Sequence, residues 1–185
     1  VNCLRMKIFF KFFGVVLLFV GAATQNAYSQ RIAVKTNAID WVTLSPNVGF
    51  EVRLSQHFTL DFEAAFNYFI TKDLKPNYLR LQPELRYWFS RPMVRHFIGI
   101  TGYYSLYTFQ YKRNHYDGDA WAAGVTYGYV YPLSRHWNME ATIGVGAVKL
   151  RTMKYLQGEK RPESPNYSPL RLAPVKLGLA FSYLF

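Results

Sequence analysis

From residue 46 onward, apolar side chains recur at every second position. In PNVGFEVRL (46–54), Val48, Phe50, Val52 and Leu54 alternate with Asn47, Gly49, Glu51 and Arg53. FTLDFEAAFNYF (58–69) sets Phe58, Leu60, Phe62, Ala64, Phe66 and Tyr68 against Thr59, Asp61, Glu63 and Asn67. WNMEATIGVGAV (137–148) repeats the scheme, with Trp137, Met139, Ala141, Ile143, Val145 and Ala147 against Asn138, Glu140, Thr142, Gly144 and Gly146. A period of two sends successive side chains to opposite faces of a strand. No stretch after residue 30 carries a long helical period, so the chain reads as all-β, each strand with one apolar face and one small or charged face.

An internal repeat orders these strands. LSQHF (54–58), MVRHF (93–97) and LSRHW (133–137) place their histidines 39 and then 40 residues apart. Each reads as a tight polar turn between two strands. Longer polar segments fall between them: ITKDLKPNY (70–78), QYKRNHYDGD (110–119) and the stretch 149–170. Strands are expected at 31–39, 46–54, 58–69, 79–89, 96–109, 120–132, 137–148 and 171–185. Eight antiparallel strands, with short turns at one end and long loops at the other, predict an up-and-down transmembrane β-barrel of the outer-membrane type. Strands near ten residues suit a tilted crossing of the hydrocarbon layer.

Residues 1–29 are expected to be a cleaved signal peptide: basic Arg5, Lys7 and Lys11, an apolar run from Phe12 to Ala23, and a small-x-small site at Ala27–Ser29. The 12-residue run is short of the roughly 20 that a spanning helix needs. Met6 is the expected start, which makes residues 1–5 an upstream misread and leaves Cys3, the only cysteine, outside the mature chain. A barrel domain over residues 30–185 then holds 185 − 29 = 156 residues, with a net charge of 19 − 11 = +8. Its basic residues are scattered singly rather than forming one run, which argues against nucleic acid as a partner.

Alternation alone leaves open which face meets water. A soluble periplasmic barrel with an apolar ligand cavity has the same period. Three features favour an apolar exterior. The charged face is also small: Gly49, Gly128, Gly144, Gly146 and Gly178 share it with the ionic residues, as the narrow interior of an eight-stranded barrel requires. Aromatics gather near strand ends, with Phe58, Phe89, Phe97, Tyr131, Trp137 and Phe185 on the turn side and Trp41, Tyr68, Tyr78, Tyr107 and Trp121 on the loop side, like the two girdles of a membrane barrel. The third is the ending KLGLAFSYLF. Its alternating Phe181, Tyr183 and terminal Phe185 resemble the C-terminal signal that outer-membrane barrels present to their assembly machinery. In 96–109 both faces carry aromatics and small residues, a pattern that a β-bulge would explain.

An Arg or Lys facing lipid at the midplane would cost about 2–4 kcal/mol. Glu51, Arg53, Glu63, Glu84, Arg86, Glu140 and Lys176, with Asp61 on the same face, are therefore expected to form an ion-paired network that fills the lumen. A narrow ion-conducting barrel using Glu51, Glu84, Arg86 and Glu140 is the functional alternative. Ser105, His115, Asp117 and Asp119 are the best set for a lipid-modifying enzyme, but their spacing matches no catalytic motif and Asp117–Gly118 reads as a turn. His57, His96 and His136 lie on separate hairpins without metal-ligand spacing. No cofactor, metal or catalytic residue is expected. The mild basic excess of the long loops suits lipopolysaccharide phosphates.

KTNAIDWVTLSPNVGFEVRL, LQPELRYWF, AAGVTYGYVYPLSRHWNMEATIGVGAV and KLGLAFSYLF together resemble an uncharacterised family of small Bacteroidetes outer-membrane proteins. That family is catalogued as a domain of unknown function, and its genes often lie near those for fimbrillin-type pilus subunits. The resemblance covers about residues 33–185. It implies an eight-stranded barrel in a Gram-negative outer membrane and, by association, pilus proteins as partners. It supplies no catalytic residues.

Overall fold

A computed structural model describes residues 32–67, 77–111, 114–156 and 168–185. Residues 1–31, where the signal peptide is expected, lie outside the described residues. Eight strands form a closed antiparallel barrel in sequence order. They are β1 (Ile32–Asn37), β2 (Asn47–Arg53), β3 (Phe58–Asn67), β4 (Asn77–Trp88), β5 (Arg95–Tyr111), β6 (Asn114–Pro132), β7 (Trp137–Leu156) and β8 (Leu170–Leu184). β8 pairs with β1 from Ala33↔Leu184 to Asn37↔Ala180, so every strand has two neighbours. Closure removes the sheet edges that an open meander would expose.

Three strands run longer than the alternation indicates. β5, β6 and β7 have 17, 19 and 20 residues. They carry most of the expected loop 110–119 and the first part of 149–170 as ladder. Polar residues on both faces erase the hydropathic period without breaking the backbone hydrogen bonds. Asp117–Gly118 is therefore no turn but lies inside β6, paired with Thr108 and Tyr107. A Cβ on Gly118 would approach the Arg151 carbonyl and the Tyr107 hydroxyl.

The β1–β2 connection holds a short helix, α1 (Ala38–Val42), where the end of a strand was expected. Asn37 starts it as N-cap, accepting from Ile39 N at 3.1 Å. The same oxygen accepts from Leu179 N at 3.1 Å, tying the cap to β8.

The bulge expected in 96–109 is absent: β5 keeps one register with β4 and with β6 throughout the described pairs. Phe97 points inward, where Gly128 on the neighbouring strand makes room; a Cβ there would fall 2.3 Å from the Phe97 ring. Inward aromatics matched to glycine are what blurred the two faces. The register shift lies instead in β8, where Gly144 pairs with Lys176 but Val145 with Pro174. Proline cannot donate to the ladder, and the extra residue at Val175 turns both Val175 and Lys176 inward.

Candidate functional site

The barrel wears its hydrophobics outside. Ile98, Ile100, Val125, Ile143, Val145 and Leu177 are each 45–68 % exposed, whereas Glu51, Asp61, Glu84 and Arg86 are at most 1 % exposed. The lumen is filled in three strata.

Nearest the short turns is an apolar plug of Ala33, Trp88, Met93, Phe97, Val130 and Leu184. Met93 comes from the β4–β5 turn, whose Met93 and Arg95 adopt left-handed φ of 63° and 66°. Trp88 Nε1 donates to Thr59 Oγ1 at 2.9 Å, which satisfies the one polar atom of the plug's largest side chain.

The middle stratum is ionic. Glu51, Asp61 and Glu84 stand directly across from one another on β2, β3 and β4, an arrangement that repels unless cations enter it. Arg86 enters from β4. Its Nη1 reaches Glu51 at 3.1 Å and Glu140 at 3.0 Å, and its Nη2 reaches Asp61, Glu84 and Glu140, each at 2.9 Å. The two Glu140 contacts form a fork across the lumen from β7, and the guanidinium sits 4.3 Å from the centroid of the Phe97 ring, joining this stratum to the plug. Lys35 pairs with Glu51, with Glu140 at 3.0 Å and with Asp61 at 3.4 Å. Lys176 pairs with Glu84 at 2.7 Å, Asp61 at 3.4 Å and Glu63 at 3.5 Å. Threonines add to this shell: Glu51 accepts from Thr59 at 2.5 Å, Glu84 accepts from Thr126, and Glu140 Oε1 accepts from Thr142 at 2.8 Å as well as from Arg86.

Toward the loops, Arg80 Nη2 holds Asp40 of α1 at 2.6 Å and Glu63 at 3.0 Å. Burial raises the Asp40 carboxyl to about 6, with Glu63 adding to the shift and Arg80 opposing it. Between this layer and the ionic stratum remains a cavity of about 10 Å³ lined by Asn37, Asn47, Asp61, Glu63, Thr142 and Lys176 among others, room for one water.

Of the residues expected in the lumen, Glu51, Glu63, Glu84, Arg86, Glu140 and Lys176 converge there, with Asp61. Arg53 lies at the turn end of β2, half-exposed, its Nε donating to the Ser55 carbonyl at 3.1 Å. Sequence reasoning passed over Lys35, Asp40 and Arg80. Lys35 alternates with Val34 and Thr36 in a strand of only six residues, too short for the period to stand out. Arg80 shares the face of Glu84 and Arg86 by the same period and was legible.

Three aromatic assignments change. Phe97 is fully buried in the plug, and Tyr107 bonds Thr152 inside the barrel at 2.7 Å. Tyr78, paired across from Tyr107, shares that inward face, and Tyr68 lies outside the described residues. The loop-side outer face keeps Trp41 and Trp121, with Tyr104 against Trp121 at 4.4 Å. Ser105 is buried on the lumen side, whereas Asp119 accepts from Trp121 Nε1 at 2.8 Å on the outer face. Opposite faces of a sheet cannot serve one reaction; the His115 side chain lies outside the described residues. No cluster of three or more His, Cys, Asp or Glu placed to hold a metal occurs among the described residues.

Residues 13–185 match a family model described as protein of unknown function (DUF3575). The chain belongs to the DUF3575 family. No curated protein matches it. In this DUF3575 barrel, Phe181 on β8 and Phe185 just after it are exposed, Tyr183 lies edge-on to Trp137 and Phe185, and Phe185 N donates to Ile32 O at 3.0 Å.

Proposed function

We propose that the chain is a non-enzymatic outer-membrane barrel with a structural or accessory envelope role, beside a fimbrial system as the family resemblance implies. The inverted polarity carries the reading. Aliphatic side chains such as Ile100, Val125 and Ile143, 57–68 % exposed, circle a wall that encloses at least seven buried charges. In water that wall would be an apolar patch far beyond what soluble monomers expose; against acyl chains it is the stable arrangement. The same polarity argues against a soluble ligand barrel, since the interior offers salt bridges and space for one water rather than an apolar cavity. Conduction is disfavoured too, because Arg86 and the Trp88–Phe97 plug stand in series across the lumen.

Lipid and lipopolysaccharide meet the wall and outer rim in this reading, and the closing strand presents Phe181, Tyr183 and Phe185 to the assembly machinery. The test is electrophoretic mobility of outer-membrane fractions before and after boiling. A folded barrel shifts on boiling; soluble periplasmic protein without a shift refutes the proposal. Deleting Phe185 sharpens it: its aromatic contact is confined to the outer face, so refolding in detergent should persist while assembly in cells falls.

A further inference from the structure

The two rims of the barrel differ in charge. At the short-turn end the chain places Arg53, Arg91, Arg95 and Arg135 with His57, His96 and His136. None of its 11 Asp and Glu, and no lysine, falls in 53–58, 89–96 or 132–137. At the loop end the signs mix: Asp119 stands opposite Arg151, with Lys149 one outward position away. A surface built only for solubility intersperses both signs. Side chains of one sign along one rim suit an anionic partner.

The backbone holds these cations outward. Buried Met93 anchors the β4–β5 turn, with Asn138 Nδ2 donating to its carbonyl at 2.8 Å, and leaves Arg91 and Arg95 exposed on either side. The left-handed φ of Met93 and Arg95 is sterically unfavourable for side chains of this size. Just inside the rim, on the outer face, runs an aromatic ladder: Phe58 to Tyr87 at 5.3 Å, Tyr87 to Phe89 at 5.7 Å, and Trp137 to Tyr183 at 5.2 Å. His136 stacks on Tyr183 and His96 bonds the Tyr127 hydroxyl at 2.7 Å. Aliphatic wall, aromatic belt and then arginine repeat the order of acyl chain, interface and phosphate in a leaflet.

We propose that this rim binds the phosphates of anionic phospholipids in the leaflet facing the short turns. The inference rests on the outer-membrane reading above. Guanidinium forks match phosphate oxygens in pairs, which suits a site built of four arginines.

The full chain is refolded into phosphatidylcholine vesicles, and tryptophan quenching is compared for brominated phosphatidylglycerol and brominated phosphatidylcholine. The expected result is a roughly threefold to tenfold preference for phosphatidylglycerol at low salt, reduced as NaCl screens the rim. Replacing the four arginines by glutamine should bring the ratio close to one, whereas Lys149→Gln with Arg151→Gln should leave it unchanged. The salt titration of the unaltered protein tests the proposal even where the fourfold variant does not fold. Equal quenching by the two lipids overturns it; if the fourfold variant is then also lost from the outer membrane of cells, the rim serves a periplasmic protein instead. Quenching by neither lipid overturns the membrane reading, and this inference with it.

Discussion

The plug and the ionic stratum fill adjacent lengths of one narrow tube with opposite chemistry, and they should fail differently. In the plug, Trp88, Phe97, Met93, Val130 and Leu184 are interchangeable in kind: what counts is volume. In the ionic stratum each group is fixed by its partners, since Arg86 alone answers four carboxylates. Buried charge is not a cheap way to fill space, because desolvation offsets much of the attraction. In a barrel whose exterior is apolar it has one clear structural consequence: a one-residue register slip would bring the paired ions out of the lumen and drive the aliphatic wall into it, so such a slip is strongly disfavoured.

The largest effect should come from Arg86→Met. It leaves Glu51, Asp61, Glu84 and Glu140 facing one another with only Lys35 and Lys176 between them. Breaking a single buried pair costs about 3–5 kcal/mol, and this change touches four at once. Loss of the heat-modifiable form, or a urea midpoint lowered by more than any plug substitution, is expected. A midpoint near that of the unaltered protein would mean the ion pairs carry little of the stability, desolvation having offset the attraction.

Trp88→Ala should follow, at about 3–5 kcal/mol for a large aromatic removed from a sealed core. It also removes the indole donor from which the Thr59 hydroxyl oxygen accepts. Met93→Leu, nearly equal in volume, should cost less than about 1.5 kcal/mol. If the two plug variants unfolded at the same urea concentration, volume would not be what the plug contributes, and its contrast with the ionic stratum would collapse.

The wall was more legible than the contents. Strands β2, β3 and β7 follow directly from alternation, because a lipid-facing or solvent-facing side and a filled side differ in kind at every residue. Where that difference vanishes, so does the signal. In β5, Phe97 and Tyr107 turn inward against Gly128 and Gly118, a complementarity between strands that no local window contains. Beyond the apolar band, β6 and β7 are polar on both faces and read as loop, although the ladder continues to Asn114↔Leu156. The ionic residues were visible singly; that Glu140 would meet Arg86 and Lys35 at 3.0 Å is set by barrel closure. Asp40 was invisible because its place depends on a five-residue helix too short to show a period.

The smallest effect tests the layer above, where one arginine serves two carboxylates instead of three cations serving four. Asp40 is held up to about 6 by burial, helped by Glu63 and opposed by Arg80 at 2.6 Å. Unfolded, it titrates near the ordinary aspartate value of about 4. Between these values the folded barrel binds the additional proton, so the Asp40 contribution to stability falls as pH rises from about 4 to about 6 and is constant above that. Asp40→Asn should remove this slope while keeping a polar side chain beside Arg80. Urea midpoints of the two proteins across this range provide the measurement, and because the other carboxylates titrate in both, the difference reports Asp40 together with its interaction with Glu63. Parallel curves would show that α1 rests on the rim without burying its carboxylate. A gain in the Asp40→Asn midpoint relative to the unaltered protein as pH rises from about 4 to about 6 would mark the outer layer as the part of the lumen whose charge pairing is incomplete near pH 6.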